Sequence, residues 1–408
     1  MDGYGLSRRG AANVEAVWPR ISKAVAEREQ QAERPTDVMD MSTSENWVLR
    51  DELIALFKQS VQEDFTSRHL SYPDELAGDS ALLSALAVFF NKYFEPRIPV
   101  ETDHIATAPG AAYALDALLH NICDPDGFDW LLNVRAGVKP VFVPSESLSD
   151  TLLASQVIPA LEATLGKTSH PIKGVLLTNP NIHWVDATLK KPSTPSSDFL
   201  YALSVFDNGE ATNPVPFVSV MGMDVEALGG DPSCVHTVWS ISKDFGSSGL
   251  RMGCIVTQYN KRLRTGIALV SNTQMSSLTA VAATSLLQSP ALSRLLQVNS
   301  GRLAISYARM TSFLKNRGLE YVAANMGPFL FARLAPHAQS VEDEKRLVET
   351  CKECGVSVST GGSYHVADAV KGWTKLTFAL RPEALDVALK RLATALGRFD
   401  ASQTNTAM

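Results

Sequence analysis

Lys243 stands in a setting that could make its amine reactive. The stretch Ser240-Ile241-Ser242-Lys243-Asp244-Phe245-Gly246-Ser247-Ser248-Gly249-Leu250-Arg251-Met252-Gly253 sets an amine among hydroxyls and glycines, with a guanidinium eight residues on. A lysine amine is a nucleophile only when deprotonated, and partial burial or a nearby cation such as Arg251 favours that form. Ser240 and Ser242 can donate hydroxyl protons to an anion that Arg251 grips with two parallel N–H bonds. Gly246, Gly249 and Gly253 let the backbone approach a ligand closely.

The flanks say what holds this stretch. Val235-His236-Thr237-Val238-Trp239 and Cys254-Ile255-Val256 are short apolar runs that read as buried strands. Lys243 is therefore expected on a glycine-rich turn between two core strands. A phosphate site beside an amine that can condense with a carbonyl describes pyridoxal phosphate.

The stretch resembles the cofactor-lysine motif of class I/II aminotransferases, the fold-type-I pyridoxal-phosphate enzymes. The likeness is strongest to their fungal branch similar to 1-aminocyclopropane-1-carboxylate synthase. It runs in the same order from about Leu6 to about Leu396. It implies a homodimer and a small amino-acid-like substrate. Some relatives in the branch lie in toxin clusters, among them carbon–sulfur lyases of the gliotoxin type. The implied reaction is transamination, and β- or γ-elimination starts from the same carbanion.

The resemblance also places other residues. Thr107-Ala108-Pro109-Gly110-Ala111-Ala112 resembles the first phosphate-binding turn, and a small-residue loop entering a helix exposes N–H groups to an anion. Gly110, Ala111 and Ala112 are the candidates. Tyr72, in Leu70-Ser71-Tyr72-Pro73, matches a tyrosine that reaches the partner subunit's phosphate. Asp198-Phe199-Leu200-Tyr201 resembles the family's Asp-Glu-Ile-Tyr. There Asp198 would keep the pyridine nitrogen protonated, and Tyr201 would bond the phenolic oxygen. Asn179-Pro180-Asn181 compresses an Asn-Pro-x-Asn-Pro motif, so either Asn179 or Asn181 could meet that oxygen. The loop ending in Glu45-Asn46 would line the substrate pocket, although Asn46 could equally cap the helix that follows.

The chain departs from the pattern in three ways. Asp124-Pro125-Asp126 runs directly into Gly127-Phe128-Asp129-Trp130, without the aromatic loop that stacks on the cofactor ring. A second short stretch is missing after Asn181, leaving Lys190–Ser197 turn-rich. Gly372-Trp373-Thr374-Lys375 stands where the family has an arginine for the substrate carboxylate, and lysine lacks the planar fork. A non-catalytic descendant with a weakened cofactor grip is the reading these departures favour. Asp198, Tyr201, Lys243 and Arg251 oppose it.

The chain has 408 residues, 45% of them apolar, and a net charge of −6. Neither nucleic-acid binding nor a membrane surface is suggested. Five scattered cysteines and no apolar leader fit the cytoplasm. Cys351-Lys352-Glu353-Cys354 has no second ligand pair nearby, so no metal site is expected. The expected architecture is α/β. Residues 75–290 would form a large cofactor domain on a mostly parallel seven-stranded sheet, possibly short of strands. Residues 291–408 would form a small α+β domain. The N-terminal segment 1–74 would contribute to the small domain and to dimer contacts.

Overall fold

The computed structural model describes residues 38–123, 154–167, 174–178, 195–198, 201–210, 217–364 and 371–406, with isolated positions before 38 and between 141 and 172. Strand β1 (Met39–Asp40) opens the described chain. Helix α1 (Arg50–Asp64) follows the polar loop 42–46, and α2 (Ser80–Tyr93) forms next. Asp79 starts α2 by accepting from the Leu82 N–H at 3.1 Å, satisfying one of the end groups that lack an intrahelical partner. Its apolar positions Leu82, Leu83, Leu86, Phe89 and Phe90 recur at helical spacing and are all buried.

The central sheet takes β2 (Ile105–Ala108), β3 (Val175–Thr178), β4 (Pro195–Asp198), β5 (His236–Ser240) and β6 (Gly253–Val256). Their order is β2-β6-β5-β4-β3. Strands β3, β4 and β5 are parallel, while β6 runs against both β5 and β2. The carboxyl ends of β2, β3, β4 and β5 consequently share one edge, where open α/β sheets bind ligands. Every residue of β2, β5 and β6 is buried, as expected of strands covered on both faces.

A second sheet, of order β7-β10-β9, joins β7 (Phe329–Arg333), β10 (Trp373–Thr377) and β9 (Ser359–Thr360) in antiparallel pairs. Strand β1 pairs in parallel with β8 (Val356–Ser357), so the N-terminal segment is stitched to this C-terminal region.

The sheet, expected to have seven strands and possibly to be short of some, has five among the described residues. One sequence expectation changes. Lys190–Ser197 was expected to be loop, yet Pro195–Ser197 belongs to β4, between β3 and β5. Its proline stands first in the strand, where a missing N–H is tolerated, and its two serines hide the apolar signal that marks most central strands. The stretch 261–288 forms two helices, Lys261–Ser271 and Ser277–Gln288, parted at Thr273, which has φ of +60°. The run Ser271-Asn272-Thr273-Gln274 offers no apolar side chain to hold a helix to the core.

Trp239 of β5 is fully buried, with ring centroids of Phe89 and Phe90 at 4.7 and 5.7 Å. This aromatic cluster fastens α2 behind the strand that leads to Lys243. Phe89→Ala should cost about 3–5 kcal/mol in urea unfolding. Val88→Ala, on the exposed face one residue away, should stay within about 0.5 kcal/mol of the parent. Equal losses would place the helix's stabilising face wrongly.

Candidate active site

The strand register assembles the site. Gly253 pairs with Ala108 on one side and with Ser240 on the other. The end of β2, the start of β6 and the end of β5 therefore lie in one row. After Ala108 the chain turns through Gly110 into α3 (Ala111–Ile122). Gly110 has φ of +92°, and a Cβ there would meet the Arg251 Nη2 at 2.4 Å. A Cβ on Gly253 would meet the Gly110 carbonyl carbon at 2.5 Å and the Ala111 nitrogen at 2.6 Å. Close approach of backbone requires glycine at 253, and the positive φ favours it at 110.

No side chain caps α3. The N–H groups of Ala111 and Ala112 therefore face outward from its first turn, where helix geometry provides no intrahelical acceptor and the dipole favours an anion. Arg251, in the left-handed conformation, spans the row. Its Nη1 donates to the Ser248 carbonyl at 2.8 Å and its Nη2 to the Pro109 carbonyl at 3.2 Å. Ser240 caps the turn Ile241–Asp244, accepting from the Ser242 N–H at 3.3 Å. Two hydroxyls, a guanidinium and a helix N-terminus beside two side-chain-free glycines fit a phosphate.

Lys243 lies on the turn next to this cradle. Its Nζ donates to the Ser44 carbonyl at 2.8 Å. Lys375, from β10, donates to the hydroxyl of the same Ser44 at 2.6 Å. Its ammonium lies 4.6 Å from the Tyr364 ring centroid and 5.1 Å from that of Phe329, within cation–π range. The Tyr201 ring meets Phe329 edge-on, with centroids 5.7 Å apart. Lys243, Ser44, Lys375, Phe329 and Tyr201 thus form a continuous line.

Asp244 fixes the turn from beneath. It is fully buried and accepts from Ser204 Oγ at 2.7 Å, the Leu203 N–H at 3.2 Å and Trp239 Nε1 at 3.4 Å. It ties the Lys243 turn to the Tyr201–Ser204 turn. Burial outweighs these donors and pushes its carboxyl up to about 7.

Other expected site residues are placed differently. Asn46, expected either to line the substrate pocket or to cap the following helix, is 1% exposed. Its amide donates to Asn299 Oδ1 and to the Asp244 carbonyl, and its oxygen accepts from Val48 N–H. With both ends of the amide engaged inside the fold, Asn46 positions the loop and presents nothing to a substrate. A Cβ on Gly246, at φ of +56°, would meet the Asn46 carbonyl oxygen at 1.8 Å, which measures how tightly this loop lies on the lysine turn. Tyr72 is 83% exposed and lines a crevice of about 230 Å³ with Arg68, Thr273 and Met275, apart from the Lys243 line. The Asp198 backbone ends β4 opposite Val238, on the edge that carries Lys243. Asn179, Asn181 and Trp130 lie outside the described residues. Ser44 and Asp244 were not singled out from sequence. Asp244's adjacency to Lys243 was the available signal, and Ser44 offered none beyond a polar loop.

The sequence profile described as Aminotransferase class I and II matches residues 159–392. The probable aminotransferase aclI of Aspergillus oryzae is 48% identical, over 97% of this chain and 99% of that protein. The probable aminotransferase sirI of Leptosphaeria maculans is 34% identical, over 96% of this chain and 98% of that protein. The chain belongs to the class I and II aminotransferases.

As a member of this family, it is an enzyme whose cofactor is pyridoxal phosphate, which agrees with the cradle found at the sheet edge. The aspartate aminotransferase from Rhizobium meliloti has the same fold, with a TM-score of 0.72 at 18% identity, over 97% of this chain and all of that one. The expected fold-type-I architecture is the one observed.

Asp244 gives this aminotransferase a pH signature. Its pKa is about 7 when folded and about 4 when unfolded, so the fold binds the extra proton between those values. Its contribution to stability is therefore full below pH of about 4 and falls by up to about 4 kcal/mol as pH rises to about 7. Asp244→Asn should flatten this part of the stability profile when urea unfolding is compared at about pH 5 and about pH 8. The same pH difference in parent and variant would count against a buried neutral Asp244.

Proposed function

We propose that this protein moves an amino group to or from a small amino-acid-like substrate in the assembly of a fungal secondary metabolite, working as a cytoplasmic homodimer. The observation that carries the reading is the Lys243 amine held between an anion cradle on one side and the buried Lys375 on the other. The pathway rests on relatives. The trimodular acetylaranotin synthesis protein ataIMG of Aspergillus terreus is 31% identical, over 90% of this chain and 39% of that longer protein.

Bound pyridoxal phosphate supplies an aldehyde that condenses with amines and a ring that draws off the electron pair left on the substrate α-carbon. The chain's own residues do the rest. Ser240, Ser242, Arg251 and the N–H groups of Ala111 and Ala112 hold the phosphate; Gly110 and Gly253 leave room for it. Asp198 serves the ring nitrogen, while Tyr201, with Asn179 or Asn181, serves the phenolic oxygen. Lys375 draws the substrate's carboxylate towards it. Lys243 Nζ, displaced by the substrate amine, would take the substrate's α-proton as a general base and hand it on as an acid. The Ser44 carbonyl steadies Lys243 Nζ beforehand. Residues 75–290 would carry the cofactor and 291–408 the smaller lobe.

Tyr72 reaches a partner subunit's phosphate in this reading. Its high exposure, with Leu70 at 79% and Leu269 at 65% also outside, leaves apolar surface that a second copy would cover. Five free cysteines suit the cytoplasm.

The test is the visible absorption of the purified protein with pyridoxal phosphate. A band absent from Lys243→Ala and removed by borohydride is expected, and Gly253→Ala should weaken cofactor uptake at least about tenfold by filling the cradle. Formation of a keto acid from an offered amino acid would show transfer. Release of a leaving group with ammonia instead would show a lyase. A well-folded protein without the band would overturn the catalytic roles assigned to Lys243 and the cradle.

Sedimentation should give a dimer, and Tyr72→Ala should lower cofactor affinity without dissociating it. A monomeric holoenzyme would remove Tyr72 from the site.

A further inference from the structure

Glu45 bridges the loop 41–47 and the turn that leads to Arg251. Its Oε1 accepts from Ser248 Oγ at 2.6 Å, the length of a strong hydroxyl–carboxylate bond. Its Oε2 accepts from Arg50 Nη2 at 2.7 Å. The Arg50 guanidinium in turn lies 3.3 Å from the Trp47 ring centroid, within cation–π range. The loop itself is fastened to the second sheet. The Thr377 N–H donates to the Met41 carbonyl at 2.9 Å, Thr377 Oγ1 to the Thr43 carbonyl at 2.8 Å, and the Trp47 N–H to the Ala379 carbonyl at 2.8 Å. The Glu45 carboxylate therefore reaches the cradle from a fixed base.

Ser248 is where that bond bears on Arg251. The Ser248 carbonyl accepts from the Arg251 N–H at 3.3 Å and from Arg251 Nη1 at 2.8 Å. Arg251 needs such support. Its backbone stands at φ of +56° and ψ of +47°, a left-handed conformation that is strained for a residue with a Cβ. Its side chain is exposed, and a loose guanidinium would lose rotamer freedom on gripping an anion. With its hydroxyl held by Glu45, Ser248 presents a fixed carbonyl to both Arg251 donors.

We propose that Glu45 is a positioning residue for the cofactor's phosphate: through Ser248 it sets the carbonyl that aims the Arg251 guanidinium. This rests on the phosphate cradle proposed above and extends it to a residue outside the cradle. A guanidinium aimed in advance grips the phosphate without an ordering cost. The effect of Glu45 therefore falls on the phosphate and leaves the Lys243 amine able to condense with an aldehyde.

The test is absorption titration of the cofactor-free protein with pyridoxal phosphate and with pyridoxal, which lacks the phosphate. The parent is compared with Glu45→Ala, Glu45→Gln, Ser248→Ala, Arg251→Met and the double variant Glu45→Ala with Ser248→Ala. The parent should prefer pyridoxal phosphate, and Arg251→Met should remove most of the preference. Glu45→Ala should cut it about tenfold, the loss of one hydrogen bond to a charged group, with pyridoxal affinity unchanged within about twofold. Ser248→Ala should match it, and the double variant should lose no more than either, as for groups acting through one another. Glu45→Gln keeps an acceptor for Ser248 and should restore most of the preference. An equal loss for pyridoxal, additive losses or no rescue by glutamine would each overturn the role of Glu45. Should Glu45→Ala not fold, Ser248→Ala decides by the same comparison: a loss confined to pyridoxal phosphate supports the role, and an equal loss overturns it. A parent without the preference, or a preference that survives Arg251→Met, would overturn the cradle and Glu45 with it. A preference lost in Arg251→Met but kept in Glu45→Ala would overturn Glu45 alone.

Discussion

The pairing of Gly253 between Ala108 and Ser240 is the constraint on which the site depends. It brings the end of β2 to two segments more than a hundred residues further along the chain, so that the helix opening at Ala111, the hydroxyl of Ser240 and the guanidinium of Arg251 share one edge. The pairing requires glycine at position 253, because a Cβ would enter the Gly110–Ala111 peptide. It also requires β6 to run against its neighbours, since only then does its first residue, rather than its last, meet the carboxyl ends of β2 and β5. A slip of one residue would turn every side chain of β6 to the opposite face.

Around that row, the molecule holds its ionisable groups in unusual company. Among the described residues, buried Asp244 meets three neutral donors and no cation. Among the same residues, buried Lys375 meets a hydroxyl and two rings and no carboxylate. Such arrangements cost stability and are found where a site needs them. The two differ in kind. Asp244 is surrounded on all sides and acts by holding two turns together. Lys375 reaches from the second sheet to the Ser44 hydroxyl.

The loop 41–47 joins these two halves. Its backbone is bonded to β10 and the residues after it, and its side chains and carbonyls to the lysine turn. Ser44 is the meeting point, receiving Lys243 on its carbonyl and Lys375 on its hydroxyl. Asn46 performs the internal part of the task, with bonds to Asn299 and to the Asp244 carbonyl. Within three residues, Ser44 faces both lysines and Asn46 turns into the fold.

The amino-acid sequence by itself determined the parts whose physics is local. The serines, lysine and glycines of 240–253 marked a phosphate and an amine, because hydroxyl donors, a guanidinium and side-chain-free backbone are recognisable by type and spacing. The apolar runs at 236–239 and 254–256 marked buried strands, and the helical spacing of Leu82 to Phe90 marked α2. Strand β4 was missed because Pro195-Ser196-Ser197 carries no alternation to read. Only the tertiary structure decided that Ser44 stands between two lysines almost 200 and more than 300 residues away, that Asn46 turns inward, and that Asp244 is sealed from water. Those outcomes depend on which segments meet across the fold, and burial of a polar side chain is set by its neighbours in space, which the order of residues along the chain does not display.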